Sequence, residues 1–133
     1  MPCTKKRLLI VDDEPSIRES LSFVLTEIGY LVRAAENGFT ALLEMGHEIP
    51  DIILSDLNMP EMSGFEFLAV VRRQFPAIPV IAMSGAFSGH EVPSGVAADA
   101  FYPKGRGMGT LLRTIETLQI AERREPVSEL QLD

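Results

Sequence analysis

Four short apolar runs in this chain each end on a residue that can do chemistry. Leu8-Leu9-Ile10-Val11 stops at Asp12-Asp13, Ile52-Ile53-Leu54 leads to Asp56, Pro79 to Met83 stops at Ser84, and Ala100-Phe101-Tyr102 leads to Lys104. Brought together, these residues form a cluster of three carboxylates, one hydroxyl and one ammonium. Two carboxylates about 5 Å apart repel by roughly 3 kcal/mol at an effective dielectric near 20, so the cluster requires a counterion or a proton. Hard oxygen ligands without histidine or thiolate suit Mg²⁺, which keeps several waters and bridges to phosphate oxygens. Asp12, Asp13 and Asp56 are the expected ligands, with a backbone carbonyl from the Asn58 turn as a further one. An aspartate beside Mg²⁺ can attack a phosphoryl group and form an acyl phosphate. Lys104 and the Ser84 hydroxyl could then stabilise the transferred charge. Each residue alone has a plainer reading: Asp12 or Asp13 as favourable acids ahead of a helix, Asp56 as a loop aspartate, Ser84 as a turn residue, Lys104 as a solvated surface charge. Their joint placement at four run ends favours the chemical reading.

The elements that must position them alternate strand and helix. Apolar runs this short, bounded by turn residues, have the composition of strands buried on both faces. After Asp12-Asp13-Glu14, Pro15 suits a first helical turn, Ile17, Leu21, Val24 and Ile28 recur at helical spacing, and Gly29 supplies the stop. Tyr30 to Ala35 reads as a more polar second strand near a sheet edge. Asn37-Gly38 opens a short helix with Phe39, Leu42 and Leu43 expected to face inward. Gly64 opens another, carrying Phe65, Leu68, Val71 and Phe75, and Pro76 closes it. Ala86 to Ala98 contains Gly89, Pro93 and Gly95 and gives a poor helical signal, so the fourth crossover is expected to be short or irregular and weakly protected. A last helix carries Met108, Leu111, Leu112, Ile115 and Leu118 on one stripe, and 123–133 reads as a polar C-terminal tail after a domain at 1–122. Strand-helix alternation of this kind makes an α/β protein with a parallel sheet and helices on both faces, and puts every strand's carboxyl end on one edge.

Composition narrows the function classes. The 133 residues suffice for one domain, and a net charge of −7 with no basic run beyond Lys5-Lys6-Arg7 disfavours direct nucleic-acid binding. Cys3 is the single cysteine, so there is no intrachain disulfide or thiolate metal cluster, and a reducing cytoplasm fits. No apolar run reaches membrane-spanning length or the core of a signal peptide. His47 and His90 have no neighbouring ligand set and read as surface residues. Gly105-Arg106-Gly107-Met108-Gly109 lacks dinucleotide-binding spacing, and no GxxxxGK[ST] P-loop exists.

Asp12-Asp13 after an apolar strand, Asp56-Leu57-Asn58-Met59-Pro60-Glu61-Met62-Ser63-Gly64, Met83-Ser84-Gly85 and Lys104 resemble the receiver domain of two-component response regulators, over about residues 7–118. The resemblance implies a doubly wound five-stranded parallel sheet in flavodoxin-like order 2-1-3-4-5. It implies that Asp56 accepts phosphate from a histidine kinase or histidine phosphotransfer protein, with Asp12 and Asp13 as acidic Mg²⁺ residues and a downstream effector protein as the reader. Ser84 would be the switch hydroxyl, Lys104 the phosphate-binding lysine, and Phe101 either the aromatic that changes rotamer on activation or a core residue. The chain departs from the pattern where Gly105 follows Lys104 in place of a cis proline, which predicts a trans Lys104–Gly105 bond. The crossover from Ser84 to Lys104 is also shorter than usual, which predicts that partner recognition shifts toward the last helix. Two other classes are consistent with an aspartyl nucleophile or with this fold. One is a small haloacid-dehalogenase-like phosphohydrolase, against which stands Asn58 where that family places a second acid. The other is an unphosphorylated binding module or flavodoxin-like FMN carrier.

Overall fold

The computed structural model describes residues 5–59, 62–85 and 96–131, with side chains described through 119. Five strands and, among the described residues, four helices follow in the order β1 (Arg7–Val11), α1 (Pro15–Ile28), β2 (Leu31–Ala35), α2 (Gly38–His47), β3 (Ile52–Asp56), α3 (Gly64–Gln74), β4 (Val80–Ser84), β5 (Ala100–Pro103) and α4 (Met108–Gln131). The strands are all parallel in the order β2-β1-β3-β4-β5, the doubly wound arrangement expected.

Because successive strand residues face opposite sides, each apolar run contributes to two cores. Leu9, Val11, Ile53, Val80, Ala82 and Phe101 pack on one side with Ala41 and Met45 of α2 and Phe67, Leu68 and Val71 of α3. Leu8, Ile10, Ile52, Leu54, Ile81, Met83 and Tyr102 pack on the other with Leu21 and Leu25 of α1 and Leu111 and Ile115 of α4. β3 is buried along its whole length, and its first three residues, Ile52 to Leu54, read as an apolar run for that reason. β2 is mostly exposed at the sheet edge, as its polarity predicts.

Local signals set the helix starts. Pro15 occupies the first turn of α1, and the Asn37 side chain accepts the Thr40 N–H at 2.8 Å to cap α2. α3 opens with a reciprocal capping box: Glu66 N–H donates to Ser63 Oγ at 3.2 Å, and Ser63 N–H donates to the Glu66 carboxylate at 3.1 Å.

Three expectations about helix faces are corrected. Phe39 and Leu43 are 54% and 70% exposed, because Gly38, Ala41 and Met45 form the inward stripe of α2 and the two larger residues lie an i, i+4 pair away from it. In α3 the stripe is Gly64, Phe67, Leu68 and Val71, so Phe67 is fully buried while Phe65, one residue out of phase, is 37% exposed. Leu25 takes the buried place in the last turns of α1, and Ile28 is half exposed. The backbone of α4 also continues as helix to Gln131, through the stretch read as a polar tail. Glutamate, arginine, leucine and glutamine there are strong helix formers, and the backbone stays helical past Pro126, which lacks an N–H donor. The expected irregular crossover at 87–97 falls largely outside the described residues, as does His90; His47 is exposed in the last turn of α2. Among the described residues, no helix is long and apolar enough to cross a membrane.

Candidate functional site

The sheet register brings the strand ends together. Val11 pairs with Ser55, Asp56 with Met83, and Ser84 with Pro103, so the residues just beyond β1 and β5 flank the end of β3 and β4. Backbone bonds extend the ladder one residue past the strands: Asp12 N–H donates to Ala35 O at 3.1 Å, Leu57 N–H to Met83 O at 2.9 Å, and Lys104 N–H to Ser84 O at 3.0 Å. Asp12, Asp56 and Ser84 are all buried there, at 0%, 3% and 0% exposure, while Asp13 is more open. Burial of charged and polar groups is costly unless they are paired, and here it is concentrated at one sheet edge.

One oxygen from each of the Asp12, Asp13 and Asp56 carboxylates lies within 4.8 Å of the others. At that spacing each pair repels by about 3 kcal/mol at an effective dielectric near 20. Lys104 offsets part of this: its Nζ lies 3.0 Å from Asp12 Oδ2, 3.2 Å from Glu14 Oε1 and 3.4 Å from Asp56 Oδ1. Asp12 Oδ1 accepts the Glu14 N–H at 2.9 Å, and Asp56 Oδ1 accepts the Asn58 N–H at 3.3 Å. Asp12 Oδ2 is different: it touches Lys104 as an ion pair, yet it is fully buried and accepts no hydrogen bond of good geometry. A buried carboxylate oxygen without a donor, facing two further carboxylates, fits a hard divalent cation. The donor set is three carboxylates without histidine or cysteine, which suits Mg²⁺.

The electrostatics follow from this packing. Burial pushes the Asp56 carboxyl up from 3.8 to about 6, with Lys104 pulling it down and Asp12 pushing it further up. Burial opposes the charge on Lys104, but the adjoining Asp12, Asp56 and Glu14 carboxylates outweigh it and the ammonium titrates above its ordinary value. Removing the cation by Lys104→Met therefore moves the Asp56 midpoint further up in metal-free protein. A ¹³C NMR titration of the carboxyl checks this, and an unchanged or lower midpoint would contradict it.

Ser84 and Phe101 sit where the sequence places them. Ser84 Oγ donates to the Asn58 side-chain oxygen at 2.9 Å, which joins β4 to the turn after Asp56. Phe101 is 5% exposed and lies in the core under α2 and α3. The Lys104–Gly105 bond is trans, as expected, since no described peptide bond is cis. Gly105 instead takes φ 93°, and a turn closes from Arg106 N–H to Pro103 O at 3.3 Å.

A family model for the response regulator receiver domain matches residues 8–103. The chain belongs to that family. Among solved structures, this receiver domain is 33% identical to the chemotaxis response regulator CheY4 of Vibrio cholerae, covering 86% of this chain and 98% of that one with a TM-score of 0.76. It is likewise 33% identical to response regulator TrrA of Thermotoga maritima in complex with Mg²⁺-BeF, covering 85% and 98% with a TM-score of 0.77. TrrA has also been seen in complex with the histidine kinase ThkA. The DNA-binding transcriptional regulator NtrC of Proteus hauseri is 40% identical over 80 residues, 60% of this receiver chain and 17% of that protein. The receiver chain thus spans about a fifth or less of the first curated relatives it matches. Receiver domains bind Mg²⁺ at an acidic pocket, and a cluster of Asp12, Asp13 and Asp56 is present in this chain.

Two residues named from sequence only as local signals, Glu14 and Gly64, also shape the candidate site. Glu14 reaches Lys104 across the pocket mouth, a contact between residues 90 apart in the chain that no local pattern encodes. Gly64 begins α3 so close to β3 that a Cβ would lie 2.2 Å from Asp56 O and 2.5 Å from Leu57 Cα. Ser63-Gly64-Phe65-Glu66 carries the S-x-x-E signal that marks this helix start, although not the close approach itself.

Proposed function

We propose that this receiver takes a phosphoryl group onto Asp56 from a phosphohistidine of a histidine kinase or histidine phosphotransfer protein. The observation that carries the reading is the buried Asp56 carboxylate at the end of the central strand, flanked by Asp12, Asp13 and Lys104, with Asp12 Oδ2 buried and met only by the Lys104 ion pair. An Asp56 carboxylate oxygen attacks phosphorus, the phosphorus–nitrogen bond breaks, and its electron pair returns to the imidazole. Asp12, Asp13, Asp56 and the Asn58 backbone carbonyl would hold Mg²⁺, which supplies positive charge against the phosphoryl oxygens. Lys104 and Ser84 donate hydrogen bonds to those oxygens. With a metal-free carboxyl near 6, Asp56 is mostly ionised at neutral pH and ready to attack.

Output follows from Ser84 leaving its bond to Asn58 and from Phe101 repacking behind it, which changes a surface that a downstream effector protein reads. The chain acts as a signalling receiver in the cytoplasm, and its net charge of −7 disfavours direct nucleic-acid binding. The likeness to TrrA, seen with Mg²⁺-BeF and with a histidine kinase, supports both the metal and the phosphoryl source.

Intact-mass measurement after incubation with acetyl phosphate and Mg²⁺ tests the reading, with one phosphoryl group as the expected gain. EDTA removes the gain, and Asp13→Ala weakens both Mg²⁺ binding by calorimetry and the labelling rate, by about tenfold or more. Labelling that is unchanged in EDTA would contradict the metal requirement.

A further inference from the structure

Lys104 has three N–H donors and three carboxylates around them, but the contacts are unequal. The hydrogen bond of good geometry runs to Glu14 Oε1 at 3.2 Å, whereas Asp12 Oδ2, although 3.0 Å away, accepts none. Asp56 Oδ1 is more distant, at 3.4 Å. Glu14 occupies the N-cap position of α1 in extended conformation and its side chain makes no capping hydrogen bond. Glutamate is not among the residues favoured there, so helix capping does not explain it. Its backbone is fixed by the N–H bond to Asp12 Oδ1 at 2.9 Å, and its side chain spans the pocket mouth to the end of β5. Lys104 is meanwhile followed by Gly105 in a trans linkage with φ 93°, so no proline ring constrains the backbone after it.

We propose that Glu14 is a positioning residue that tethers the Lys104 ammonium at the rim of the pocket in the unphosphorylated receiver, and that Lys104 must leave it when Asp56 is phosphorylated. The proposal rests on Asp56 as phosphoacceptor. A phosphoryl group needs the lysine's donors, and Asp12 and Asp56 are the carboxylates that a cation would engage. Glu14, whose side chain is 58% exposed, is the partner that water can replace at least cost. The tether therefore restrains phosphorylation and has no counterpart in the phosphorylated state.

Glu14→Asp and Glu14→Gln separate a tether from simple repulsion of an anionic donor. Aspartate keeps the charge and suits a helix N-cap, but it is one methylene too short to hold Lys104; glutamine keeps the length and loses the charge. In the unphosphorylated Glu14→Asp protein, acylation of Lys104 by acetic anhydride, located by peptide mass spectrometry, is expected to quicken by about 2- to 5-fold, the range spanned by exposed ion pairs. Phosphorylation by acetyl phosphate at saturating Mg²⁺ is expected to quicken by a similar factor, while spontaneous dephosphorylation stays at the wild-type rate. Wild-type acylation in Glu14→Asp, or acceleration of phosphorylation in Glu14→Gln alone, would overturn the tether. Absence of phosphoryl uptake by the wild-type protein would instead overturn Asp56 as acceptor, with the acylation comparison still deciding the tether.

Discussion

Above neutral pH and without divalent metal, the Asp56→Asn protein is expected to be more stable than wild type by about 3 kcal/mol. The folded carboxyl is raised from 3.8 to about 6, chiefly by burial, and each pKa unit corresponds to about 1.4 kcal/mol of differential interaction. A raised folded value means that the fold favours the protonated form. The contribution of Asp56 is therefore most favourable below pH ~4 and is lost as pH rises through about 6. Asparagine keeps the shape of the side chain and removes the charge, so the variant should lack this pH dependence. Saturating Mg²⁺ should narrow the difference, because it stabilises the wild-type carboxylate cluster more than the variant. Chemical denaturation at pH 5 and pH 8, with and without Mg²⁺, measures both effects. Parallel stability profiles for the two proteins would contradict the account of a strained carboxylate.

Gly64→Ala is expected to cost about 3 kcal/mol or more, lowering the melting temperature by roughly 10 °C. The added Cβ would meet the Asp56 carbonyl oxygen at 2.2 Å and Leu57 Cα at 2.5 Å, and both are backbone atoms held in place by the β3 ladder. Relief requires α3 to move away from the end of β3, which breaks the Gly64 N–H bond to Leu57 O at 3.0 Å and disturbs the turn behind Asp56. Gly38→Ala is the contrasting case. Its nearest atom would be Met62 Sδ at 2.6 Å, the far end of a flexible side chain, so α2 should lose much less stability. Thermal melts of the two variants side by side check the difference, and equal melting temperatures would show that α3 is not pressed against the strand.

The placement of the candidate site was readable in the sequence because its residues lie on strand ends. Short apolar runs buried on both faces leave little ambiguity about where β1, β3 and β4 stop, so Asp12, Asp56 and Ser84 could be placed on one edge before any contact was known. The α4 stripe was equally clear, since Leu111 and Ile115 are buried with Met108, Leu112 and Leu118 beside them. The faces of α2 and α3 were harder. Large apolar residues at Phe39, Leu43 and Phe65 mimic a core face, whereas the buried positions are taken partly by Gly38, Ala41 and Gly64, whose small size is what lets each helix sit close to the sheet. Hydrophobicity ranks such residues low, and packing distance ranks them high. Contacts across the pocket, from Glu14 to Lys104 and from Ser84 to Asn58, join residues far apart in sequence and depend on side-chain direction, which periodicity does not report.

The central claim is that the transferred phosphoryl group resides on the carboxyl of Asp56. Borohydride reduction of the acyl phosphate after treatment with acetyl phosphate and Mg²⁺, followed by peptide mass spectrometry, tests it most directly. The account predicts homoserine at position 56 in place of Asp56, no such product at Asp12 or Asp13, and none anywhere in the Asp56→Asn protein. Reduction product at Asp12 or Asp13, or undiminished product in Asp56→Asn, would contradict it.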